Sequence, residues 1–122
     1  MRPCRERTHA MKELEPIYAE CRTPNWDGYG AQAVAEDTFA LACKVLDSLP
    51  VGMPAPSVGA EPDGHLTLEW HRSAQRTLSL SISPEGDLHY AALIGANTAC
   101  GTEHFHGEMP DQIMSLYQRI MT

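Results

Sequence analysis

Apolar residues recur at helical spacing in three parts of the chain, which predicts three helices. The first is expected over residues 11–22, the second over 32–48, and the third after Pro110. Because proline belongs in the first turn of a helix, Pro16 implies a start near Glu15 or a kink. The three predicted apolar stripes are, in chain order, Leu14, Ile17, Tyr18 and Cys21; Ala35, Thr38, Ala42, Val45, Leu46 and Leu49; and Ile113, Leu116, Tyr117 and Ile120.

Between the second and third helices, apolar and polar residues alternate, as is typical of half-buried strands. The predicted buried face comprises Val58, Leu66, Leu68, Trp70, Leu78, Leu80, Ile82, Leu88 and Tyr90. The other face carries small polar and charged side chains, which are Thr67, Glu69, Ser79, Ser81 and His89. A short fifth strand is expected around residues 103–106. The helices must cover the apolar face of this sheet.

Two tripeptides between the predicted strands have the chemistry of a hairpin loop, Pro62-Asp63-Gly64 and Pro84-Glu85-Gly86. In each, proline sets a type I turn and glycine is expected to adopt a positive φ, which closes a three-residue loop. This register keeps the apolar side chains of neighbouring strands on one face. The resulting cross-strand pairs include Val58 with Leu68, and Leu80 with Tyr90.

The predicted fold is therefore α+β, with two N-terminal helices, an antiparallel four- to five-stranded β-meander and a C-terminal helix. Residues 11–122 are long enough for one compact domain and too few for two. Residues 1–10 show no periodicity and are expected to form a loose basic arm.

The charge of the chain is acidic and unevenly distributed. The formal net charge is −7, yet Arg2, Arg5, Arg7 and Lys12 supply four of the nine basic residues within the first 12 positions. An acidic body repels phosphate backbones, so direct nucleic-acid binding is not expected. A protein partner with a basic surface suits this charge better.

The chain shows no signal for a membrane or for secretion. No stretch approaches the ~20 apolar residues of a membrane span, and the basic N-terminus leads into Lys12-Glu13-Leu14-Glu15 rather than an apolar run. Four cysteines lack a Cys-x-x-Cys pair and are expected to be free thiols. They are Cys4, Cys21, Cys43 and Cys100. A cytoplasmic protein is expected.

The best metal candidate in the sequence is the segment around His104-x-His106. Cys100, His104 and His106, with Glu103 and Glu108 nearby, have the donor atoms that zinc or nickel prefers. Their spacing matches no specific metal motif, and a solvated loop explains the same residues. No metal and no cofactor is therefore the leading expectation, and a small metal-dependent enzyme using Cys100, His104 and His106 is the alternative.

No catalytic residue is assigned from the sequence. A P-loop, a dinucleotide fingerprint and a Gly-x-Ser-x-Gly motif are all missing. His89 and Glu69 could act as general acid or base, but no nucleophile with an oriented base accompanies them. These observations favour a protein that acts by binding.

The most distinctive segment is Asn25-Trp26-Asp27-Gly28-Tyr29-Gly30-Ala31. In a structural interpretation, Trp26 packs over the core and Asp27 caps a turn or the second helix. In a functional interpretation, the aromatic side chains form a binding surface. Both interpretations stay open at this point.

This loop, followed by a helix, Pro62-Asp63-Gly64 and Leu68-Glu69-Trp70, resembles a family of small uncharacterised bacterial proteins. The similarity spans roughly residues 14–94. The resemblance implies a recurrent fold in a bacterial or phage-borne setting, and it implies no activity.

The leading hypothesis is a non-catalytic protein–protein interaction module of bacterial or phage origin with an accessory, antitoxin-like or inhibitor role. Mimicry of nucleic acid by the acidic body is a further alternative, and a homo-oligomer stays open. The candidate partner-binding residues are Trp26, Asp27, Tyr29, Thr67, Glu69, Ser79, Ser81 and His89.

Overall fold

The computed structural model describes residues 5–50 and 52–121. Three α-helices and five β-strands follow one another along the chain. They are α1 (Arg5–Cys21), α2 (Glu36–Asp47), β1 (Ser57–Ala60), β2 (Leu66–Ser73), β3 (Arg76–Ile82), β4 (Asp87–Ile94), β5 (Asn97–His104) and α3 (Asp111–Met121). The α+β class, the antiparallel sheet and the C-terminal helix are confirmed.

The five strands form one antiparallel sheet in the order β1-β2-β3-β4-β5. Val58 pairs with Leu68, and Leu80 pairs with Tyr90, as the hairpin loops predict. The glycines that close these loops have positive φ, 90° at Gly64 and 93° at Gly86. Turn chemistry therefore determines which side chains share a face of the sheet.

All three helices pack on one face of the sheet. Helix α1 contacts β1, α2 contacts β2 and β3, and α3 contacts β3 and β4. Edge-to-face packing of Trp70 on Tyr117 joins the sheet to α3, and stacking of Tyr18 on Phe39 joins α1 to α2. The fully buried large side chains of this core are Leu14, Val34, Val45, Leu46, Leu66, Leu68, Leu78, Leu80, Ile82, Leu88, Ile113 and Ile120.

Helix α1 is longer than predicted. It begins at Arg5, so residues 5–10, expected in a loose arm, are helical, and Pro16 lies inside the helix. Pro16 is exposed and removes one backbone hydrogen bond, a cost that the buried Leu14 and Cys21 on the opposite side of the helix offset. The rest of the expected arm, including Cys4, lies outside the described residues.

Helix α2 begins at Glu36, not at residue 32 as predicted. The preceding segment is extended because its backbone bonds elsewhere: the Gln32 N–H donates to the Pro62 carbonyl and the Val34 N–H to the Cys21 carbonyl, both at 2.8 Å. Partners distant in sequence thus override a locally helical pattern.

The fifth strand was predicted around residues 103–106, but β5 spans Asn97–His104. It pairs with β4 along its whole length, with Tyr90 opposite Gly101. The core-side residues of β5 are Ala99, Gly101 and Glu103, too small or too polar to give an alternating apolar pattern. That composition explains why periodicity missed most of the strand.

Candidate functional site

The face of the sheet opposite the helices is covered by no helix within residues 5–50 and 52–121. We call this surface the open face. Pairing of Thr67 with Ser81, Glu69 with Ser79, and Ser81 with His89 places all five of these predicted partner-binding residues on it. The predicted placement of these five residues on one polar face of the sheet is therefore confirmed.

Hydroxyl groups converge on the Glu61 carboxylate at one end of the open face. Thr67 Oγ1 donates to Glu61 Oε2 at 2.7 Å, and Ser81 Oγ donates to the same oxygen at 2.6 Å. Because the single Ser81 hydroxyl proton is used in this way, His65 Nδ1–H is the donor in the 3.0 Å bond to Ser81 Oγ. Side chains from β2, β3 and the β1–β2 hairpin are thus linked.

A second set of lateral contacts continues across the open face. The His65 and His89 rings stack with centroids 5.7 Å apart, and His89 Nδ1 lies 2.8 Å from Thr102 Oγ1. Ser79 Oγ donates to Glu69 Oε1 at 3.1 Å. The polar groups bond to one another along the surface, which holds them flat against the sheet.

The Ser81–His65 contact does not have the geometry of a catalytic triad. In a triad, serine and the acid contact different nitrogens of the histidine ring. Here Ser81 Oγ lies 3.0 Å and Asp63 Oδ2 lies 3.7 Å from the same nitrogen, His65 Nδ1. The Ser81 hydroxyl also donates to a carboxylate instead of to a base, so this serine is not activated as a nucleophile.

The loop over residues 25–31, which we call the Trp26 loop, contains three predicted partner-binding residues. Two of them have internal contacts. Trp26 is half-buried against the core and its Nε1–H donates to the Gln32 carbonyl at 2.8 Å. Asp27 Oδ1 accepts the N–H groups of Tyr29 at 2.8 Å and Ala31 at 3.1 Å. Asp27 therefore caps the loop, whereas Ala35 occupies the N-cap of α2. Tyr29 is 93% exposed and is the aromatic side chain that this loop displays.

The alternative metal ligands from the sequence are only partly brought together. His104 Nδ1 lies 3.0 Å from Asp87 Oδ1, and the rings of His104 and His106 are 4.8 Å apart. Cys100 is exposed and lies four positions back along the same strand, a separation of about 13 Å. The three residues do not form one ligand set.

A different group of ligand types converges at the β1–β2 hairpin. One potential ligand atom each from Glu61, Asp63 and His65 lies within 4.8 Å of the other two. Among the described residues, no other three His, Cys, Asp or Glu side chains approach so closely. The sequence did not single out this group, although the hairpin register that places Val58 opposite Leu68 also places Glu61 opposite His65.

The described cysteines, Cys21, Cys43 and Cys100, are free thiols, as predicted. Burial raises the pKa of the Cys21 thiol, and the nearby Glu20 raises it further. Burial and then Glu15 likewise raise the pKa of Cys43. Both thiols are therefore protonated at neutral pH and are poor nucleophiles.

Comparison with known proteins found no matching family model, no matching curated protein and no matching solved structure. In the part of the chain that the structure describes, every helix is too short or too polar to cross a lipid bilayer.

Proposed function

We propose that this chain is a non-catalytic interaction module that binds another protein through its open face. The supporting observation is the surface itself: an antiparallel sheet has all its helices on one side, and small side chains lie flat on the other. Antiparallel sheets often leave one face in water, so this face is distinguished by the residues that it carries.

The part of the open face near the β4–β5 turn is depleted of charge. A shallow hollow of about 240 Å³ lies across β3, β4 and β5. Its lining residues are Thr77, Ser79, Ala91, Ala92, Leu93, Thr98, Ala99 and Cys100, none of which is charged. Depletion of charged residues is the compositional mark of the centre of a protein interface.

One carboxylate borders this hollow: Glu69 lies on β2, next to Ser79. The chain as a whole carries a net charge of −7. Complementary charge at an interface accelerates encounter and selects partners. The proposed partner is therefore a protein with a basic surface around a small apolar or polar centre.

An accessory, antitoxin-like or inhibitor role in a bacterial or phage setting fits a small acidic module of this kind. We place it in the cytoplasm, where free thiols such as Cys21 and Cys43 persist. Tyr29 extends the proposed surface only if the partner also reaches the Trp26 loop.

The test is affinity capture from the native host with matched arginine variants. Ala91→Arg places a long cation in the hollow of the open face, and Ala40→Arg places the same side chain on the exposed side of α2. We expect Ala91→Arg to weaken binding of the captured partner by about 10-fold or more. Ala40→Arg should bind like the wild type, and circular dichroism should show both variants folded.

Equal binding by both variants would show that the partner docks elsewhere. Loss of binding in Ala40→Arg alone would assign the interface to the helical layer. Either result would overturn the proposed docking surface.

A further inference from the structure

We infer that the protein partner proposed above contributes an extended, basic segment that pairs with the free edge of β5 as a sixth strand. This inference rests on the proposed function and names the part of the partner that the chain recognises. Strand β5 lies at the end of the sheet, with β4 as its one neighbour among the described strands. Its other edge is therefore available to an added strand.

The hydrogen-bond pattern shows which backbone groups of β5 face outward. The Phe105 N–H donates to the Gly86 carbonyl at 2.9 Å, and this pair continues the register of β4 with β5. Because hydrogen-bonded pairs recur at every second residue of an antiparallel ladder, residues 97, 99, 101 and 103 bond to β4. The N–H and C=O groups of the residues that alternate with them point away from the sheet. Those residues are Thr98, Cys100, Thr102 and His104, and all four are exposed.

The two edges of the sheet differ in their protection against pairing. Natural edge strands are commonly short, covered by another element, or interrupted by proline, lysine or a bulge. Edge strand β1 has four residues and packs against α1. Edge strand β5 has eight residues, contains neither proline nor lysine, and pairs with β4 without a register shift. Within the described residues, one long and regular edge is therefore left open.

Carboxylates at one end of this edge select a basic occupant. A cleft of about 420 Å³ lies where β5 runs into the segment before α3. Its lining includes Glu103, Glu108 and Asp111 and contains no lysine or arginine, while Met109 and Pro110 add apolar surface. A lysine side chain suits such a cleft, because its methylene stem packs on apolar groups while its ammonium group reaches the carboxylates.

The same charges disfavour a second copy of this chain as the added strand. Two copies with a net charge of −7 repel each other, and β5 itself has no lysine or arginine to place in the cleft. A carboxylate on an edge strand discourages pairing with an acidic segment and favours a basic one. The occupant is therefore a segment of a basic partner.

The added strand would lie directly beside the hollow of the open face. Thr98 and Cys100 line that hollow, and they are also two of the residues whose backbone groups face outward. Alternate side chains of a sixth strand would extend the open face past β5. Backbone pairing and contact with the hollow therefore belong to one continuous surface.

The experiment is NMR titration of the full chain with a synthetic peptide in which alternating threonine and valine follow two N-terminal lysines. In an antiparallel pairing, these lysines lie beside the His104 end of β5, next to the carboxylate cleft. We expect saturable shifts of the backbone amides of Thr98, Cys100 and Thr102. A peptide N-methylated on the amides that face β5 should lose binding, because it cannot donate to the edge. A peptide with glutamates in place of the lysines should bind about 10-fold more weakly at low salt.

A proline variant isolates the outward backbone groups. Thr102→Pro removes an N–H that faces away from β4, and proline is tolerated at such edge positions. Thr102→Val is the matched control, because both variants lose the contact of Thr102 Oγ1 with His89 Nδ1 at 2.8 Å while valine keeps the N–H. We expect Thr102→Pro to weaken peptide binding by about 10-fold or more and Thr102→Val to bind like the wild type. Circular dichroism should show both variants folded.

A second pair of variants tests the charge of the cleft. Glu103→Gln should weaken binding of the lysine peptide at low salt by about 3-fold or more, because it removes one of the carboxylates. Glu36→Gln removes the same charge from an exposed position on α2 and should leave binding unchanged.

Absence of saturable shifts at the β5 amides would overturn the inference. So would equal binding of the N-methylated peptide, or equal weakening by Thr102→Pro and Thr102→Val. Concentration-dependent shifts of the same amides without peptide would instead assign this edge to a second copy of the chain. A captured partner that tolerates Thr102→Pro but not Ala91→Arg would leave the proposed docking function intact and remove the sixth strand.

Discussion

Trp26 and Tyr29 lie in the same loop and have opposite environments. Trp26 is half-buried and bonded through Nε1 to the Gln32 carbonyl, whereas Tyr29 is 93% exposed. The sequence marked both as candidate partner-binding residues because glycines and aromatics combine in this loop. A side chain's burial depends on where the loop docks, and the local pattern does not contain that information.

Trp26→Ala should destabilise the fold. Because the indole is half-buried, we expect a loss of about 3 kcal/mol, at the lower end for removal of a tryptophan from a core. Trp26→Phe should lose less, since it keeps most of the apolar contact and removes the hydrogen bond, worth about 1 kcal/mol. Urea unfolding of the variants measures both values.

Tyr29→Ala is the control for this prediction, because its side chain is almost fully exposed. Its free energy of unfolding should stay within about 0.5 kcal/mol of the wild type. An unchanged stability of Trp26→Ala, with partner binding lost, would mean that Trp26 belongs to the docking surface after all.

At the scale of elements, the sequence predicted best where local chemistry alone determines the structure. The loops at Gly64 and Gly86 determine their own hairpin registers, so strand pairing and both faces of the sheet followed from them. The start of α2 and the extent of β5 were wrong because they depend on distant partners. Residues 31–34 bond to α1 and to the first hairpin, and β5 is specified by pairing with β4.

The same distinction applies to the candidate sites. The open-face residues Thr67, Ser79 and Ser81 follow from the strand period of two. The group at Glu61, Asp63 and His65 also lay within the predicted hairpin, but its spacing matches no metal motif. Only the distances between these side chains show that they converge.

Edge strand β5 depends on a close approach between Gly101 and Tyr90. A Cβ at Gly101 would lie 2.5 Å from the Tyr90 hydroxyl and 2.8 Å from Cζ. We expect Gly101→Ala to lower the free energy of unfolding by about 1–3 kcal/mol, because the added methyl group overpacks the aromatic ring. Thermal or urea unfolding monitors the change.

A double-mutant cycle tests the cause of that loss. In a Tyr90→Ala background, Gly101→Ala should cost little, since the ring that it would meet is gone. A penalty of equal size in both backgrounds would instead point to the backbone of β5. Gly59 in edge strand β1, where an added Cβ meets nothing within 4 Å, provides the matched Gly59→Ala control.

At the scale of the whole molecule, the division into layers separates stability from recognition. The large apolar side chains lie between the helices and one face of the sheet. The open face contributes no large residue to that core, so its hydroxyls, carboxylates and histidines are free to serve binding without loss of the fold. The acidic charge of the chain then acts on any partner from a distance.

Association with the proposed basic partner should therefore depend on salt. Raising the ionic strength from about 0.01 M to about 0.15 M shortens the Debye length from about 30 Å to about 8 Å, so long-range attraction is screened. We expect the association rate constant to fall over this range and the dissociation rate constant to change little.

Glu69→Gln, which removes a carboxylate beside the hollow, should lower the association rate at low salt and reduce its salt dependence. Surface-plasmon resonance at several salt concentrations measures both rate constants. An association rate that is independent of salt would exclude electrostatic steering by the acidic chain and would favour a partner chosen by the uncharged hollow alone.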